Sequence, residues 1–401
     1  MAFWRRFLQR PEDDRLAACT ALDVGTEFAK ALVFEIGDDG GATVRGVGRK
    51  RQGLAHMQSG TVADIAAVVD NCQVALQEAE EMAGFRSSQV IIGIAGELVK
   101  GFTTSLSQER KKPDVQLTAR ELDQIIDTVQ REALKEAERT ITWETGLPNV
   151  DIRLVHAAVT GATIDGYQVT NPVGFQGRHV RISIFNAFAP LIHLGALQSV
   201  ASMLDLELVA IVAEPYAVAR CMNDEQVQQT GALFIDVGGG TTDVALVRQG
   251  GIEGTRMFAL GGRAFTKSLA DRLEMPFARA EEVKVDFARG MKVERHKEVG
   301  QIISEDVAVW QAGVELVLEE FAKTGMLPGR IYLCGGGSRL PHIGAALADA
   351  NFARNLPFAK PPVVEPITVD QVAQITDATA LLVDEQDIPP MALAHQALEM
   401  A

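Results

Sequence analysis

The sequence predicts an α/β fold of two or more domains, and three observations lead to this class. The chain has 401 residues, which is longer than a single hydrophobic core usually serves. Short apolar runs of strand length alternate with segments whose apolar residues recur at helical spacing, as in α/β proteins. Two strand–turn–strand units, at 21–36 and 233–247, carry the same Asp-x-Gly turn in separate halves of the chain.

The other elements follow from local signals. Further strands are predicted at 43–47, 90–95, 151–159, 167–169, 180–187, 208–212 and 330–334. Helices are predicted at 64–84, 118–140, 191–204, 263–273 and 307–324. Gly84 is placed to stop the first helix, and Thr118 with Glu121 fits a capping box at the start of the second.

The composition narrows the possible partners and the compartment. The net charge is −15 and the pI about 5.0, so nucleic acid is not expected as a partner, because binding it requires a basic face. The cysteines, Cys19, Cys72, Cys221 and Cys334, are far apart and form no Cys-x-x-Cys pair. They predict reduced, buried thiols in a cytoplasm rather than a disulfide framework or a zinc site. The most apolar stretch, 206–219, is too short to span a bilayer, and no signal-peptide pattern is recognised.

Two Asp-x-Gly turns carry the strongest chemical signal. The first turn is Asp23-Val24-Gly25-Thr26, with Lys30 on the returning strand; the second runs from Asp236 to Asp243 and holds three consecutive glycines. Glycines let backbone N–H groups approach an anion, and threonine hydroxyls add donors. Two such turns facing each other would clamp a Mg²⁺–nucleotide, with the aspartates holding the metal through its waters. Alone, the first turn is more often a plain hairpin, whereas three glycines in a strand context indicate a close backbone approach.

A third glycine-rich turn follows the predicted strand at 330–334. Gly335, Gly336, Gly337 and Ser338 precede Pro341 and a predicted helix. Such a turn could hold an adenine ring or a phosphate at a helix N-terminus. By itself it is as well explained as a tight strand–helix connection, but together the three turns favour a nucleotide site. The P-loop pattern is absent from the sequence.

The three turns together resemble the nucleotide site of the actin, sugar kinase and Hsp70 superfamily. In this resemblance 23–30 and 236–243 are the two phosphate loops, and 335–338 is the adenosine motif. The segment 213–217 is similar to the first connecting segment of the superfamily. Its acidic residue, here Glu214, orients the attacking water in related ATPases.

Within the superfamily, the chain is most similar to the FtsA family of bacterial cell-division proteins. The similarity covers about residues 18–350 and includes 93–96, the Asn-Pro-Val-Gly stretch within 167–177, 260–266 and 280–284. It implies that Glu281 and Lys284 lie by the ribose and base. The candidate nucleotide-binding residues are Asp23, Gly25, Thr26, Lys30, Gly238, Gly239, Gly240, Thr241, Thr242, Gly261, Gly262, Glu281, Lys284, Gly335, Gly336, Gly337 and Ser338. The candidate catalytic residues are Glu214 and Asp236, and the candidate metal ligands through water are Asp23 and Asp236.

The resemblance implies a two-lobed actin-like ATPase fold with ATP and Mg²⁺ in the cleft and a small α/β subdomain inserted in the first lobe. The expected division is 1–14 as an N-terminal membrane segment, 15–96 and 189–230 as the first lobe, 97–188 as an SHS2-like insert, 231–270 and 328–380 as the second lobe, 271–327 as its tip, and 381–401 as a final helix returning to the first lobe. It also implies slow ATP hydrolysis at most, self-assembly into filaments, and tethering of an FtsZ-like partner to the cytoplasmic face of the inner membrane.

The chain departs from the FtsA pattern near both ends. The last cation is Lys360, so the C-terminal segment is poorly suited to bind anionic lipid and is expected to be a helix of the first lobe. At the other end, one helical face would carry Phe3, Trp4, Phe7 and Leu8, with Arg5, Arg6 and Arg10 largely opposite. This composition is typical of an interfacial membrane anchor, although a basic tail or a self-docking segment has the same composition. The stretch 284–325 is shorter than in typical FtsA, so no FtsZ-contact residues are carried over.

Two alternative functions remain open on the sequence. A PilM-like scaffold of type IV pilus machinery shares the fold and begins with a similar aromatic–basic stretch. A small-molecule kinase of the same superfamily would need a carboxylate base over a second-substrate pocket, for which 97–188 shows no signature. An Hsp70-like chaperone is not expected, because this sequence shows no peptide-binding domain after the second lobe.

Overall fold

A computed structural model describes residues 18–146, 150–222, 224–248 and 250–400. The strands are β1 (Ala18–Val24), β2 (Phe28–Ile36), β3 (Ala42–Arg51), β4 (Met57–Gln58), β5 (Thr61–Val62), β6 (Gln89–Ile94), β7 (Lys100–Glu109), β8 (Ile152–Ile164), β9 (Tyr167–Gln168), β10 (His179–Pro190), β11 (Glu207–Ala213), β12 (Ala232–Val237), β13 (Thr242–Arg248), β14 (Gly251–Phe258), β15 (Arg330–Cys334), β16 (Val363–Pro366) and β17 (Ile375–Asp377).

The α-helices lie between these strands, as expected for an α/β chain. They are α1 (Ile65–Ala83), α2 (Ala119–Thr145), α3 (Leu191–Met203), α4 (Glu214–Arg220), α5 (Glu225–Thr230), α6 (Gly262–Leu273), α7 (Phe277–Ala288), α8 (His296–Ala322), α9 (Pro341–Leu347), α10 (Ala350–Asn355) and α11 (Ile388–Leu398). None of the helices in the described part of the chain combines the length and apolar character needed to cross a bilayer.

The first lobe is built on a six-stranded sheet with the order β11–β6–β1–β2–β3–β17. Helix α1 covers one face, and its close approach to β3 depends on Gly46 and Gly48, where a Cβ would overlap the helix backbone. Asp64 caps the start of α1 and Gly84 ends it in a left-handed conformation (φ 79°), as predicted. On the other face, Leu393 of α11 and Tyr216 of α4 join the core of β1 and β2.

The second lobe shares a nine-stranded sheet with the inserted subdomain, in the order β16–β15–β12–β13–β14–β7–β10–β8–β9. Strands β12 to β16 belong to the lobe, and α6, α7 and α8 pack on them around Phe265 and Trp310. Strands β7 to β10 belong to the insert, whose long helix α2 covers one face of its sheet. The two parts join where β14 pairs with β7, Gly254 opposite Phe102 and Thr255 opposite Gly101.

The structure confirms most of the predicted elements and adds several. Strands β7 and β14 and helix α7 were not predicted, and α8 begins at His296 rather than near residue 307. The capping box at α2 forms only in part. Thr118 accepts the N–H of Glu121, but the Glu121 carboxylate pairs with Arg110 at 2.8 Å instead of returning to the cap. All four cysteines are buried, as predicted.

Candidate functional site

A cavity of about 570 Å³ lies between the two lobes, where the turns of both sheets face each other. This volume suits a small-molecule ligand. Its lining includes most of the residues that the sequence singles out: Asp23, Gly25, Thr26, Lys30, Glu214, Asp236, Gly238, Gly239, Thr241, Gly262, Glu281, Lys284, Gly335, Gly336 and Gly337.

The two Asp-x-Gly turns are tight and lie against each other. The Gly25 N–H donates to Phe28 O at 3.1 Å, and the Gly238 N–H donates to Thr241 O at 2.9 Å. A Cβ on Gly239 would lie 2.9 Å from the Glu27 Cβ. The absence of a side chain at Gly239 is therefore what lets the two turns approach from opposite lobes.

Lys30 is the cation at the base of the first turn. It lies opposite Asp23 in the β1–β2 ladder. Its ammonium group contacts Asp23 Oδ2 at 2.9 Å and Gln386 O at 2.8 Å. Burial acts to lower the pKa of Lys30, but the Asp23 carboxylate outweighs it and the net pKa is raised. The lysine is therefore held charged, although it has little contact with water.

Three further carboxyl groups, Glu214, Asp236 and Asp243, lie around the same point; Asp236 and Asp243 are buried and Glu214 is half-buried. Burial, together with neighbouring carboxylates, raises the pKa of Asp236 to about 6 and raises the pKa values of Glu214 and Asp243 as well. The Oδ1 atoms of Asp236 and Asp243 have no hydrogen-bond partner among the described residues. Gly93 leaves room for Glu214, because any side chain there would overlap its carboxyl group.

This donor set fits a hydrated divalent cation. Oxygen-rich, carboxylate-lined sites are preferred by Mg²⁺, which keeps several of its waters. Among the described residues, no group of three or more His, Cys, Asp or Glu side chains is arranged to hold a metal directly. Asp23 and Asp236 therefore fit contact through water rather than direct ligation.

The third turn closes the cavity from the second lobe. Gly335 has φ 81° and no space for a Cβ beside the Asp236 carboxyl group. Its N–H donates to Glu385 O at 2.9 Å. This position therefore requires glycine for both conformation and space. The Ser338 hydroxyl donates to Gly335 O at 2.7 Å and so stabilises the turn itself.

Glu281 and Lys284 lie at the other end of the cavity, on α7. The Lys284 ammonium group pairs with Glu281 at 2.8 Å and donates to Gly262 O at 2.9 Å and to the Thr266 hydroxyl at 2.8 Å. Burial would raise the pKa of Glu281, but the Lys284 charge outweighs it and lowers that pKa. The result is a fixed polar pair that could meet the hydroxyls of a ribose.

Four of the predicted nucleotide-binding residues do not line the cavity, namely Gly240, Thr242, Gly261 and Ser338. Thr242 is fully buried. Its hydroxyl donates to Leu260 O at 2.7 Å and accepts from Trp310 Nε1 at 2.8 Å, so it serves the core of the second lobe. The predicted membrane residues, Phe3, Trp4, Arg5, Arg6, Phe7 and Leu8, lie outside the described residues.

The sequence reasoning missed a group of charged residues at the cavity mouth. Glu27 pairs with Arg51 at 2.6 Å and with Arg263 at 2.7 Å. Glu27 and Arg51 belong to the first lobe and Arg263 to the second. No local pattern marks them, since each is one charged residue at the end of a strand or helix.

Comparison with known proteins finds sequence similarity to bacterial cell-division proteins and structural similarity to proteins of actin-like fold. A family model described as "Cell division protein FtsA" matches residues 233–380. The FtsA of Pseudomonas aeruginosa is 27% identical over 269 residues, covering 67% of this chain and 60% of that protein. The FtsA of Bacillus subtilis is 24% identical over 376 residues, covering 85% of this chain and 78% of that protein. The chain thus spans about 60% of the length of the first of these relatives.

Solved structures show the fold over nearly the whole chain. The PilM–PilN type IV pilus biogenesis complex superimposes with a TM-score of 0.64 at 18% identity, covering 95% of this chain and 98% of that chain. MreB5 of Spiroplasma citri bound to ADP gives a TM-score of 0.50 at 15% identity, covering 96% and 97%. These similarities establish the two-lobed actin-like ATPase fold.

Proposed function

We propose that this chain, which is similar in sequence to FtsA proteins and has the actin-like ATPase fold, binds ATP with Mg²⁺ in the interlobe cavity and uses it to control assembly. The observation that carries this proposal is the meeting of three glycine turns and one charged lysine in a single cavity. Glycine-rich turns with backbone amides, together with the Lys30 ammonium group, supply the kind of donors that phosphate oxygens accept from. The same fold holds ADP in MreB5 of Spiroplasma citri.

Each part of the cavity has a role in this proposal. The turns at Gly25–Thr26 and Gly238–Thr241 hold the phosphates, and Asp23 and Asp236 hold waters of the Mg²⁺. Glu281 and Lys284 meet the ribose, while 335–337 borders the base. A bound Mg²⁺ would add positive charge to a cluster of carboxyl groups that Lys30 already neutralises in part. Glu214, on the same wall, is placed to orient a water, so we propose slow ATP hydrolysis at most.

The test is calorimetric titration of the chain with ATP and Mg²⁺. Asp236→Ala should abolish nucleotide binding, because it removes one of the carboxylates that hold the metal. Asp271→Ala is the matched control, since Asp271 is exposed on α6. Glu214→Gln should keep the affinity and slow hydrolysis in a single-turnover assay. Equal ATP affinity in wild type and Asp236→Ala would overturn the site assignment.

At the cellular level, we propose a filament-forming adaptor of the FtsA type at the cytoplasmic face of the inner membrane. The proposed partners are a second copy of the chain, an FtsZ-like division protein and anionic lipid. Residues 2–10 are proposed as the anchor, weak singly and strengthened when filaments present many copies. Co-sedimentation with anionic liposomes should require those residues and increase with ATP and Mg²⁺. If chains with and without residues 2–10 both remain in the supernatant, the anchor is refuted.

A PilM-like pilus scaffold is the second candidate, favoured by the aromatic–basic N-terminal stretch. Filaments of purified FtsZ from the same bacterium provide the discriminating test. Co-sedimentation of the chain with them supports the division adaptor. Binding to a peptide from a pilus inner-membrane protein, with no binding to FtsZ filaments, supports the scaffold.

A further inference from the structure

The charged residues at the mouth of the cavity join the two lobes directly. Arg263 is the second residue of α6, where its own N–H donates to Gly239 O at 2.8 Å, so it is anchored in the second lobe. Its side chain reaches across to the first lobe. Nε donates to Glu27 at 2.7 Å, one terminal nitrogen to Gln52 O at 3.2 Å and the other to Leu54 O at 3.5 Å.

All three nitrogens of this guanidinium group are therefore engaged by the opposite lobe. The side chains of Arg263 and Glu27 are 14% and 18% exposed, so water competes less for this pair than at an open surface. The second Glu27 oxygen is held by Arg51 of its own lobe at 2.6 Å. Because this ion pair ties Glu27 to β3, Glu27 stays with the first lobe if the lobes separate, and its contact with Arg263 breaks.

The contact lies directly beside the two phosphate turns. Glu27 follows Thr26 of the first turn, and a Cβ on Gly239 of the second turn would lie 2.9 Å from the Glu27 Cβ. Any separation of the turns must therefore break the Arg263 contacts. A ligand in a cavity between two lobes enters and leaves when the lobes separate.

We propose that Arg263 and Glu27 form an interlobe latch that holds the cleft closed and sets how fast nucleotide enters and leaves it. This inference rests on the proposed nucleotide site and adds its regulation. In this role Arg263 is a positioning residue, since it acts through the lobes, although it and Glu27 also line the cavity. Opening the latch shifts the population of closed and open clefts.

The kinetics distinguish a latch from a direct ligand contact. Loss of a ligand contact speeds release and leaves or slows binding. Loss of a latch speeds both, because the closed cleft must open before entry as well as before exit. A fluorescent ADP analogue with Mg²⁺, mixed with the chain and then displaced by excess ADP in a stopped-flow instrument, gives both rate constants.

Arg263→Ala and Glu27→Ala should each raise both rate constants about fivefold or more, as expected for the loss of roughly 1 kcal/mol. The double variant should be no faster than the faster single variant. The Arg263–Glu27 contact is shared, so a second change cannot break it again. Arg272→Ala is the matched control. Arg272 lies on the same helix and pairs with Glu305 within the second lobe at 2.7 Å, so its rates should stay within about twofold of wild type.

Amide hydrogen exchange of the nucleotide-free chain provides a second readout that needs no ligand. Peptides covering 25–28 and 238–241 should exchange faster in Arg263→Ala than in wild type or Arg272→Ala. Unchanged rates and unchanged exchange in Arg263→Ala would overturn the latch while nucleotide binding stands. If wild type fails to bind the analogue, the proposed function falls, and hydrogen exchange alone then decides the latch.

Discussion

Ionised Asp236 should destabilise the nucleotide-free protein, and its replacement by Asn should reveal by how much. Burial raises the pKa of this carboxyl group from 3.8 to about 6. At about 1.4 kcal/mol per pKa unit, this rise corresponds to a cost of about 3 kcal/mol when the group is ionised in the folded state. The cost is fully present above pH 6, where the group is ionised both folded and unfolded. The cost disappears as the pH falls from 6 towards 3.8, because the folded state binds the proton more tightly than the unfolded state does.

Asp236→Asn removes this titration and also the repulsion that Asp236 exerts on Glu214 and Asp243, so the difference in unfolding free energy between variant and wild type should change with pH. This difference should favour the variant most at pH 8. It should be smaller at pH 5 by roughly half of the 3 kcal/mol. Any cost of accommodating the Asn amide is independent of pH and does not affect that change. His156 and His193, whose pKa values burial lowers to about 4, destabilise the fold below pH 6.5. They do so equally in both proteins and cancel in the comparison.

The assay is urea unfolding without nucleotide or Mg²⁺, from pH 5 to pH 8. Tryptophan fluorescence follows unfolding, and the buried Trp310 should contribute most of its change, so that the signal reports on the lobe that holds Asp236; Trp143 is exposed. Asp271→Asn is the control, since this residue is exposed on α6 and lies away from the buried carboxyl groups. A difference for Asp236→Asn that is also constant from pH 8 to pH 5 would refute the reasoning.

Two further predictions concern packing around the site. Gly101→Val should destabilise the chain by about 1–3 kcal/mol in the same urea assay, because its side chain would overlap Thr255 where the insert joins the second lobe. Gly161→Val on β8 is the control and should be tolerated, because the nearest atom to a Cβ there is 3.9 Å away. Thr242→Val should lower the free energy of unfolding by about 1–3 kcal/mol, because it leaves the Trp310 N–H unpaired. The affinity for ATP, measured by calorimetry, should not change. A large loss of affinity with unchanged stability would restore Thr242 to the nucleotide site.

The sequence alone determined the fold class and the three turns, because these depend on local constraints. Alternating and helical spacings of apolar residues report which faces are buried. Glycine runs report where backbone must turn sharply or approach another group, and Gly335 and Gly239 meet those requirements. Hence most of the residues predicted for the site line the cavity, and they were predictable before any pairing of elements was known.

The sequence could not show which way a side chain points within a buried turn. Thr241 and Thr242 are identical in type and adjacent, yet one lines the cavity and the other binds Trp310 of α8. Which of them faces the cavity follows from the strand register of β13 and from the helix packed behind it. Neither feature leaves a signal in the local sequence.

Only the tertiary structure decided how the lobes and the insert are joined. Glu27 and Arg263 are 236 residues apart, and a single charged residue at a strand or helix end has no periodicity to mark its partner. The pairing of β7 with β14 is similarly non-local, since backbone hydrogen bonds between strands carry little side-chain specificity. The sequence therefore determined what the cavity is made of. The packing of distant elements determined what holds it closed, because contacts between lobes depend on which surfaces meet and not on local spacing.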